Sequence, residues 1–202
     1  MLTTRGEQRR DELLEAALER FAEDGFDGAT TRAIAEQTGV SEAALFKYFP
    51  TKHELFLSVV RDLAPDRLID PQHLALGEES AEQALTAAVR SHLDLAWEYR
   101  AWLELMLQER SRAPEVRDAL QAQFGAVRQA LRRLLQALAE RGDVRAGMVG
   151  PATQIIMISL RGFLVWALRQ TPPAGWRATR DWFVRALVDL VLHGIAAEEG
   201  QQ

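Results

Sequence analysis

Residues 28–55 constrain the fold more than any other stretch of this 202-residue chain. Thr30 or Thr31 can accept a hydrogen bond from the first turn of a short helix, and Gly39 can take the left-handed backbone conformation that ends it. Ser41 can then cap a second short helix. Two short helices joined by a glycine turn form a helix-turn-helix, in which the second helix enters the DNA major groove.

An amphipathic helix is predicted just before this motif, over residues 7–24, because its apolar residues recur at helical spacing. They are Leu13, Leu14, Ala17, Leu18, Phe21 and Ala22. Gly25 is expected to end this helix, Phe26 to be buried behind it, and Gly28 to relax the turn into the motif. The order is long helix, Gly-Phe-x-Gly-Ala-Thr-Thr, short helix, Thr-Gly-Val-Ser, short helix, then Phe-Lys-Tyr-Phe and Lys-His-Glu-Leu.

In this order, the pieces over about residues 7–57 resemble the DNA-binding domain of the TetR family of bacterial transcriptional regulators. Residues 58–202 are similar to that family in general character, as a helical regulatory domain. The resemblance implies a helix-turn-helix DNA-binding domain over 1–55 and a helical effector-binding and dimerisation domain over 56–202. It also implies a ligand-responsive repressor that binds a pseudo-palindromic double-stranded operator as a homodimer and is released by a small-molecule effector.

The rest of the chain is predicted to be helical, because no sustained strand alternation is present. Pro65, Pro71 and Gly77 mark an irregular connection over residues 64–79. Pro114 suits the first turn of a long helix. The predicted helices run over 52–63, 81–99 with a continuation to about 112, 114 to about 141, 151–169 and 178–197. The predicted fold class is all-α, with a three-helix N-terminal domain joined to a larger helical domain.

Composition excludes several classes of protein. The chain has no cysteine, so disulfides and thiolate metal sites are absent. The N-terminus lacks the apolar segment of a secretory signal. The longest apolar runs, at 155–158 and 163–168, are separated by Arg161 and fall short of the roughly 20 residues that span a bilayer. A cytoplasmic protein without membrane contact is therefore expected.

The net charge of −5 at pH 7 is unusual for a DNA-binding protein. Residues 1–55 hold seven Lys and Arg against eleven Asp and Glu, but seven of those acids lie on or at the end of the first helix. Residues 28–53 hold three basic and two acidic side chains. We therefore expect a mildly basic face around the motif, with modest nonspecific affinity and a shallow salt dependence. Arg5, Arg9 and Arg10 are expected to lie along phosphates as an arm.

Matched residue by residue, the resemblance implies DNA contacts on and around the second short helix: Thr31, Arg32, Ser41, Glu42, Ala43, Ala44, Lys47, Tyr48 and Lys52. Arg32 can pair with a guanine edge or bind phosphate. Ala43 and Ala44 are short enough to meet thymine methyl groups, and Glu42 can accept from cytosine or repel other bases. The others suit backbone positioning. Phe46 stands where similar proteins often have Tyr, so a hydroxyl contact to phosphate is missing.

The last two predicted helices are too apolar to be covered by one small domain. The helix over 151–169 is apolar nearly all round, and such a helix must be covered on both sides. The resemblance implies a four-helix interface between two subunits, and the alternative is a buried pair inside a monomer. The interface candidates are Ile155, Ile158, Trp182, Leu187, Val191 and Ile195.

An effector pocket in a helical domain should be mostly apolar with a few polar anchors, which suits a small hydrophobic or amphipathic effector, either an acyl compound or a drug-like cation. The candidates are Trp97, Trp102, Met106, Phe124, Met157, Arg161, Phe163 and Trp166, with core packing as the alternative role for each. Arg161 sits within an apolar helix, so we expect it to be buried with a partner such as Glu104, Glu109, the other subunit or a ligand carboxylate.

Nothing in the sequence supports catalysis. The four histidines are scattered without metal-ligand spacing, and no nucleophile elbow or phosphate-binding glycine loop occurs. No catalytic residue, metal or cofactor is therefore expected. Two alternatives to the regulator stay open at this point: a ligand-sensing or protein-binding module that has lost sequence-specific DNA binding, and a helical enzyme that uses the C-terminal pocket.

Overall fold

The computed structural model describes residues 4–65, 79–111, 113–170 and 172–193, and these residues form α-helices without a β-strand. The helices are α1 (Thr4–Gly28), α2 (Thr31–Gln37), α3 (Glu42–Tyr48), α4 (Lys52–Asp62), α5 (Ala81–Glu98), α6 (Arg100–Glu109), α7 (Pro114–Arg141), α8 (Val149–Gln170) and α9 (Trp176–His193). The predicted all-α class is confirmed. Pro71, Gly77 and Ile195 lie outside the described residues.

The local signals for the helix-turn-helix are confirmed. The hydroxyl of Thr30, not Thr31, accepts from the Ala33 amide at 3.2 Å and caps α2. The hydroxyl of Ser41 accepts from the Ala44 amide at 3.2 Å and caps α3. Gly39 has a φ of 71°, in the left-handed region that favours glycine.

The first helical segment ends at Gly25 as expected, because Gly25 has non-helical backbone angles (φ 70°, ψ 172°). A short further helical turn, which the sequence did not predict, follows to Gly28. The bounds of α1 therefore include two helical segments with a kink at Gly25 between them. Phe26 lies just after the kink and is half-buried, not fully buried as predicted.

The chain divides into two compact units. The first unit consists, among the described residues, of 4–65 and 99–122, so it contains α1–α4, α6 and the start of α7. The second unit consists of 79–98 and 123–193, and contains α5, the rest of α7, α8 and α9. The functional boundary at residue 55 stays a prediction.

Each unit has its own apolar core. The largest fully buried side chains of the first unit come from α1, α2, α3, α4 and α6: Leu13, Leu14, Phe21, Ile34, Leu45, Leu55, Phe56, Trp102 and Leu103. In the second unit, Leu85 and Leu93 of α5 are fully buried, and α5 packs against α9.

The expectation that no apolar segment reaches membrane-spanning length is wrong. Residues Ala146–Gln170 have a mean hydropathy of 1.4 in their most apolar window and are long enough to cross a bilayer by length and composition. Ile156, Leu160 and Leu164 of α8 are buried inside the second unit. Core helices of soluble proteins pass the same test, so the finding alone indicates no membrane.

Candidate nucleic-acid interface

The two helices of the motif are joined by a side-chain hydrogen bond. The Thr31 hydroxyl at the start of α2 donates to the Glu42 carboxylate at the start of α3. Both residues were predicted to contact DNA, and the structure brings them together. The bond adds to the apolar packing of α2 against α3, where Ile34 of α2 and Leu45 of α3 are both fully buried. α3 is therefore held at a defined angle to α2 by an apolar contact and a polar one.

The outer face of α3 is small and mostly uncharged. Ala43 and Lys47 are exposed, and Ala44 and Tyr48 are half-buried. The short side chains leave room for the backbone of α3 to approach a flat partner. Phe46 of the same helix is also exposed. The structure thus presents most of the predicted contacts of α3 to solvent.

Arg32 is available to an anionic partner. Its side chain is 79% exposed and donates through Nε to the Glu36 carboxylate, one helical turn away, at 2.9 Å. The hydrogen bond that Arg32 donates to Glu36 and the negative charge of Glu36 raise the pKa of Arg32 above its ordinary value, so the guanidinium stays charged. An exposed ion pair of this kind contributes little stability, and DNA phosphate can replace Glu36.

Lys52 stands at the start of α4, which Thr51 caps through a bond to the Glu54 amide at 3.0 Å. The Lys52 ammonium donates to the Asp27 carbonyl at 3.3 Å. It also lies 4.8 Å from the centre of the Phe26 ring, a cation–π distance. An ammonium has three protons, so these contacts orient Lys52 and leave donors for a phosphate.

The predicted N-terminal arm is wrong. Residues from Thr4 onward belong to α1, and two of the three arginines have partners within the first unit. Arg9 bonds the Glu12 carboxylate at 2.6 Å and the Thr38 carbonyl at 3.1 Å. Arg10 pairs with Asp62 of α4.

That pairing perturbs Asp62. Burial alone would raise the pKa of this carboxyl, but hydrogen bonds from Arg10 and Arg61 and their charges outweigh it, so its pKa lies below the usual range. Arg10 also lies over the Phe49 ring, at 5.3 Å. These contacts tie α1 to α4 and to the end of α3, so the arginine is structural here.

The effector candidates fall into both units. Trp102 and Met106 of α6 are buried in the first unit, where the Trp102 indole donates to the Val60 carbonyl at 3.2 Å. The remaining candidates belong to the second unit: Trp97, Phe124, Met157, Arg161, Phe163 and Trp166. The Phe163 ring stacks on Phe183 at 3.9 Å and lies 5.9 Å from Trp166.

A surface groove of about 580 Å³ opens beside Trp97. The Trp97 ring stacks on the Trp176 ring of α9 at 4.3 Å, nearly parallel. Asp94, Glu98, Arg177 and Arg180 supply charge to the same groove. It combines an aromatic wall with both charge signs, which suits an amphipathic molecule.

One of these arginines is firmly held. Arg180 bonds Asp94 and, at 2.9 Å, Asp181. Burial would lower the pKa of Arg180, but the hydrogen bonds that it donates to these two carboxylates, and their charges, outweigh burial and raise the pKa. Asp94 also accepts from the Trp176 indole at 3.4 Å, so the carboxylate links α5 to α9.

The prediction that Arg161 is buried is wrong. Its side chain is exposed, and the guanidinium lies 4.8 Å from the centre of the Phe124 ring, a cation–π contact. No buried carboxylate is required for a charge in this position, and Glu109 lies in the first unit with a different partner.

Large apolar side chains are exposed on α8 and α9. Ile158 is 61% exposed and Trp182 is 63% exposed, and Ile155, Trp166 and Leu190 are about half exposed. Of the other interface candidates, Leu187 is already buried within the second unit, and Val191 is half-buried. Single exposed apolar residues are normal, but five on two helices are typical of an interaction surface.

Comparison with known proteins fits this geometry. The family described as "Bacterial regulatory proteins, tetR family" matches residues 13–59, which span the helix-turn-helix and its flanking helices. The HTH-type transcriptional repressor AcnR of Corynebacterium efficiens is 32% identical over 139 residues, which is 67% of this chain and 69% of that repressor.

Two solved structures share the fold. The TetR family regulator PfmR of Thermus thermophilus has a TM-score of 0.69 and 25% identity, and the match covers 98% of this chain and 100% of PfmR. The regulator FadR of Bacillus subtilis, in complex with stearoyl-CoA, has a TM-score of 0.68 and 18% identity, with coverage of 92% and 99%.

Proposed function

The chain belongs to the TetR family, whose members are DNA-binding transcriptional regulators and not enzymes, and from that premise we propose the details of its action. It is a cytoplasmic repressor that binds a pseudo-palindromic operator as a homodimer. A small hydrophobic or amphipathic effector releases it. The observation that carries the proposal is the capped α2–α3 pair, locked by Thr31 and Glu42, with a small and accessible outer face on α3.

DNA reading is assigned to α3 and the residues beside it. Ala43 and Ala44 let the helix lie deep in the major groove and contact thymine methyl groups. Arg32 exchanges Glu36 for a guanine edge or a phosphate. Lys47, Tyr48 and the capping Ser41 bind the phosphate backbone, which sets the register of the protein on the duplex.

Glu42 has a different part in this proposal. Its carboxylate already accepts from Thr31, so it holds α3 against α2 and leaves the second oxygen for a cytosine amino group. With few polar groups available for base edges, much of the discrimination would come from apolar contacts and from the shape of the duplex.

Dimerisation is assigned to the exposed apolar side chains of α8 and α9. Ile155, Ile158 and Trp182 would be buried against the same residues of a second copy, since closed two-fold dimers use one patch twice. A two-fold dimer places two α3 helices in successive major grooves, roughly 34 Å apart, on an inverted repeat.

The effector class is proposed from the second unit and from the relatives. The groove beside Trp97 offers an aromatic wall and charged side chains, and FadR is similar in fold and was solved with an acyl-CoA. An acyl compound with an anionic or polar head fits these features. Binding would favour a conformation with low operator affinity and thereby shift the population off DNA.

Selection of bound duplexes from a random DNA library tests this function. The purified protein is used at low and at near-physiological salt. Enrichment of an inverted repeat that survives the higher salt supports the proposal, since sequence-specific contacts resist salt better than phosphate contacts alone. Weak, unpatterned binding that disappears with salt would point to a ligand-sensing or protein-binding module without sequence-specific DNA recognition. The acidic balance of the chain is the observation in favour of that second candidate.

A further inference from the structure

The kink in α1 is bound by a buried carboxylate from a distant part of the chain. The Phe26 amide, directly after Gly25, donates to Glu109 of α6 at 3.0 Å. Glu109 is only 8% exposed, and a Cβ added to Gly25 would stand 3.5 Å from the same carboxylate oxygen. A buried carboxylate is costly unless it is hydrogen-bonded, so this contact is a specific feature of the first unit.

The segment that Glu109 binds is the one on which Lys52 rests. The Lys52 ammonium donates to the carbonyl of Asp27 and lies over the ring of Phe26, the residue whose amide Glu109 accepts. The Phe26 ring is in turn packed against Phe21 and Phe56 at 5.8 and 5.0 Å. The position of the Lys52 ammonium therefore depends on the backbone of residues 26 and 27.

α6 is firmly attached to this region. The Gln108 side chain donates to the Ala22 carbonyl of α1 at 3.4 Å, and the Trp102 indole donates to the Val60 carbonyl of α4. Glu109 is thus presented by a helix that is itself fixed to both α1 and α4. Its carboxylate has little freedom to follow the kink if the kink moves.

We infer that Glu109 is a positioning residue for DNA binding: its bond to the Phe26 amide holds the segment that aims the Lys52 ammonium at a phosphate. This rests on the proposed function for the assignment of Lys52 to DNA. Glu109 lies some 50 positions beyond the helix-turn-helix, and in this inference it acts without touching DNA itself. Loss of the bond should remove one phosphate contact without removing any basic side chain.

The salt dependence of DNA binding tests this inference. Dissociation constants are measured against salt for a 40-base-pair duplex of fixed arbitrary sequence and for a duplex enriched by selection. The plot of log Kd against log salt has a slope that rises with the number of phosphate contacts. E109L should reduce the size of this slope by about 0.9, the value of one phosphate contact, and K52M should reduce it by the same amount. The double variant E109L/K52M should show no further loss, because both changes remove one contact.

Three control variants separate positioning from general stability. E109Q keeps an oxygen acceptor for the Phe26 amide and should retain the wild-type slope. Q121A changes an exposed residue of α7 in the same unit that takes no part in these contacts, and it should also retain the slope. If thermal unfolding shows that E109L does not fold, E109D replaces it, since it keeps the charge but draws the oxygens back from the Phe26 amide.

The outcomes are distinct. A wild-type slope in E109L, or in E109D where that variant is used, overturns the inference. So does a double variant whose loss is the sum of the two single losses. If the wild-type protein binds neither duplex, the proposed function fails first and takes the inference with it. If the wild-type protein binds DNA, K52M loses one phosphate contact and the Glu109 variants keep the wild-type slope, the proposed function stands and the positioning role fails.

Discussion

Among the described residues, six of the seven exposed large apolar side chains lie in the second unit and only Phe46 lies in the first. The first unit buries Phe21, Ile34 and Leu45 completely, and apart from Phe46 it presents small or polar side chains on α3. The second unit leaves Ile158 and Trp182 in water. The first unit therefore covers most of its own apolar surface, whereas the second leaves an apolar face exposed, and the proposed dimer rests on that difference.

The largest effect is expected from a charge in that apolar face. I158D would bury an unpaired carboxylate in the proposed dimer interface and should weaken dimerisation by roughly 2–4 kcal/mol, with a matching loss of operator affinity. Light scattering across a concentration series measures the dimer. Q129D, an exposed position on α7, is the control and should stay dimeric. A dimeric I158D protein would show that the exposed face is not the interface.

A smaller effect is expected from α2. R32M removes the guanidinium that the structure leaves exposed. Affinity for the operator should fall by about 1–3 kcal/mol if Arg32 reads a base, with relaxed preference at one position. If it binds phosphate, the loss should be similar on all duplexes. R20M, which removes a partly exposed arginine of α1, is the control for lost charge. Equal binding by R32M and R20M would remove Arg32 from the interface.

Helix capping gives a third and smaller effect. S41A removes the acceptor for the Ala44 amide and should cost about 1 kcal/mol of stability in the first unit. S41T retains the hydroxyl and should behave nearly as wild type. Denaturant unfolding with a probe in the first unit measures the change. An S41A protein as stable as S41T would mean that α3 depends on packing alone.

The smallest effect concerns pH. The pKa of Asp62 is lower in the folded protein because Arg10 and Arg61 outweigh the effect of burial. Its contribution to stability is therefore present above the unfolded pKa, about 4, and is lost as the pH falls through the lower folded value. An exposed pair of this kind contributes roughly 0–1 kcal/mol. The free energy of unfolding is measured for wild type and D62N between pH 3 and 7. The difference between the two proteins should be smaller at pH 3 than at pH 7, and a difference that does not change with pH would contradict this.

The helix-turn-helix could be read from the sequence because its determinants are local. A hydroxyl three residues before the amide it caps, as at Thr30 and Ser41, and a glycine with positive φ at Gly39 act within one turn of chain. Helix bounds were predicted to within a few residues for the same reason. Gly25 interrupts the first helix as its sequence position predicts, but nothing local indicates that a helical turn resumes after it.

Contacts between distant residues could not be predicted in this way. Glu109 and Phe26 are 83 positions apart, and Trp102 and Val60 are 42 apart, so no spacing rule joins them. The error at Arg161 has another cause: apolar neighbours along the helix suggested burial, but part of α8 faces solvent in the protomer. The apolar pattern of a helix indicates which face should be covered, but it leaves open whether the same chain covers that face.

The most direct test of the account is the mass of the protein bound to an enriched duplex, measured by native mass spectrometry or light scattering. Two copies on one duplex are expected, with binding strongly reduced when one half of the inverted repeat is scrambled. The free protein should have the mass of two chains, since the exposed apolar face of α8 and α9 is the proposed dimer interface. A monomer that binds a single half-site with full affinity would contradict the account.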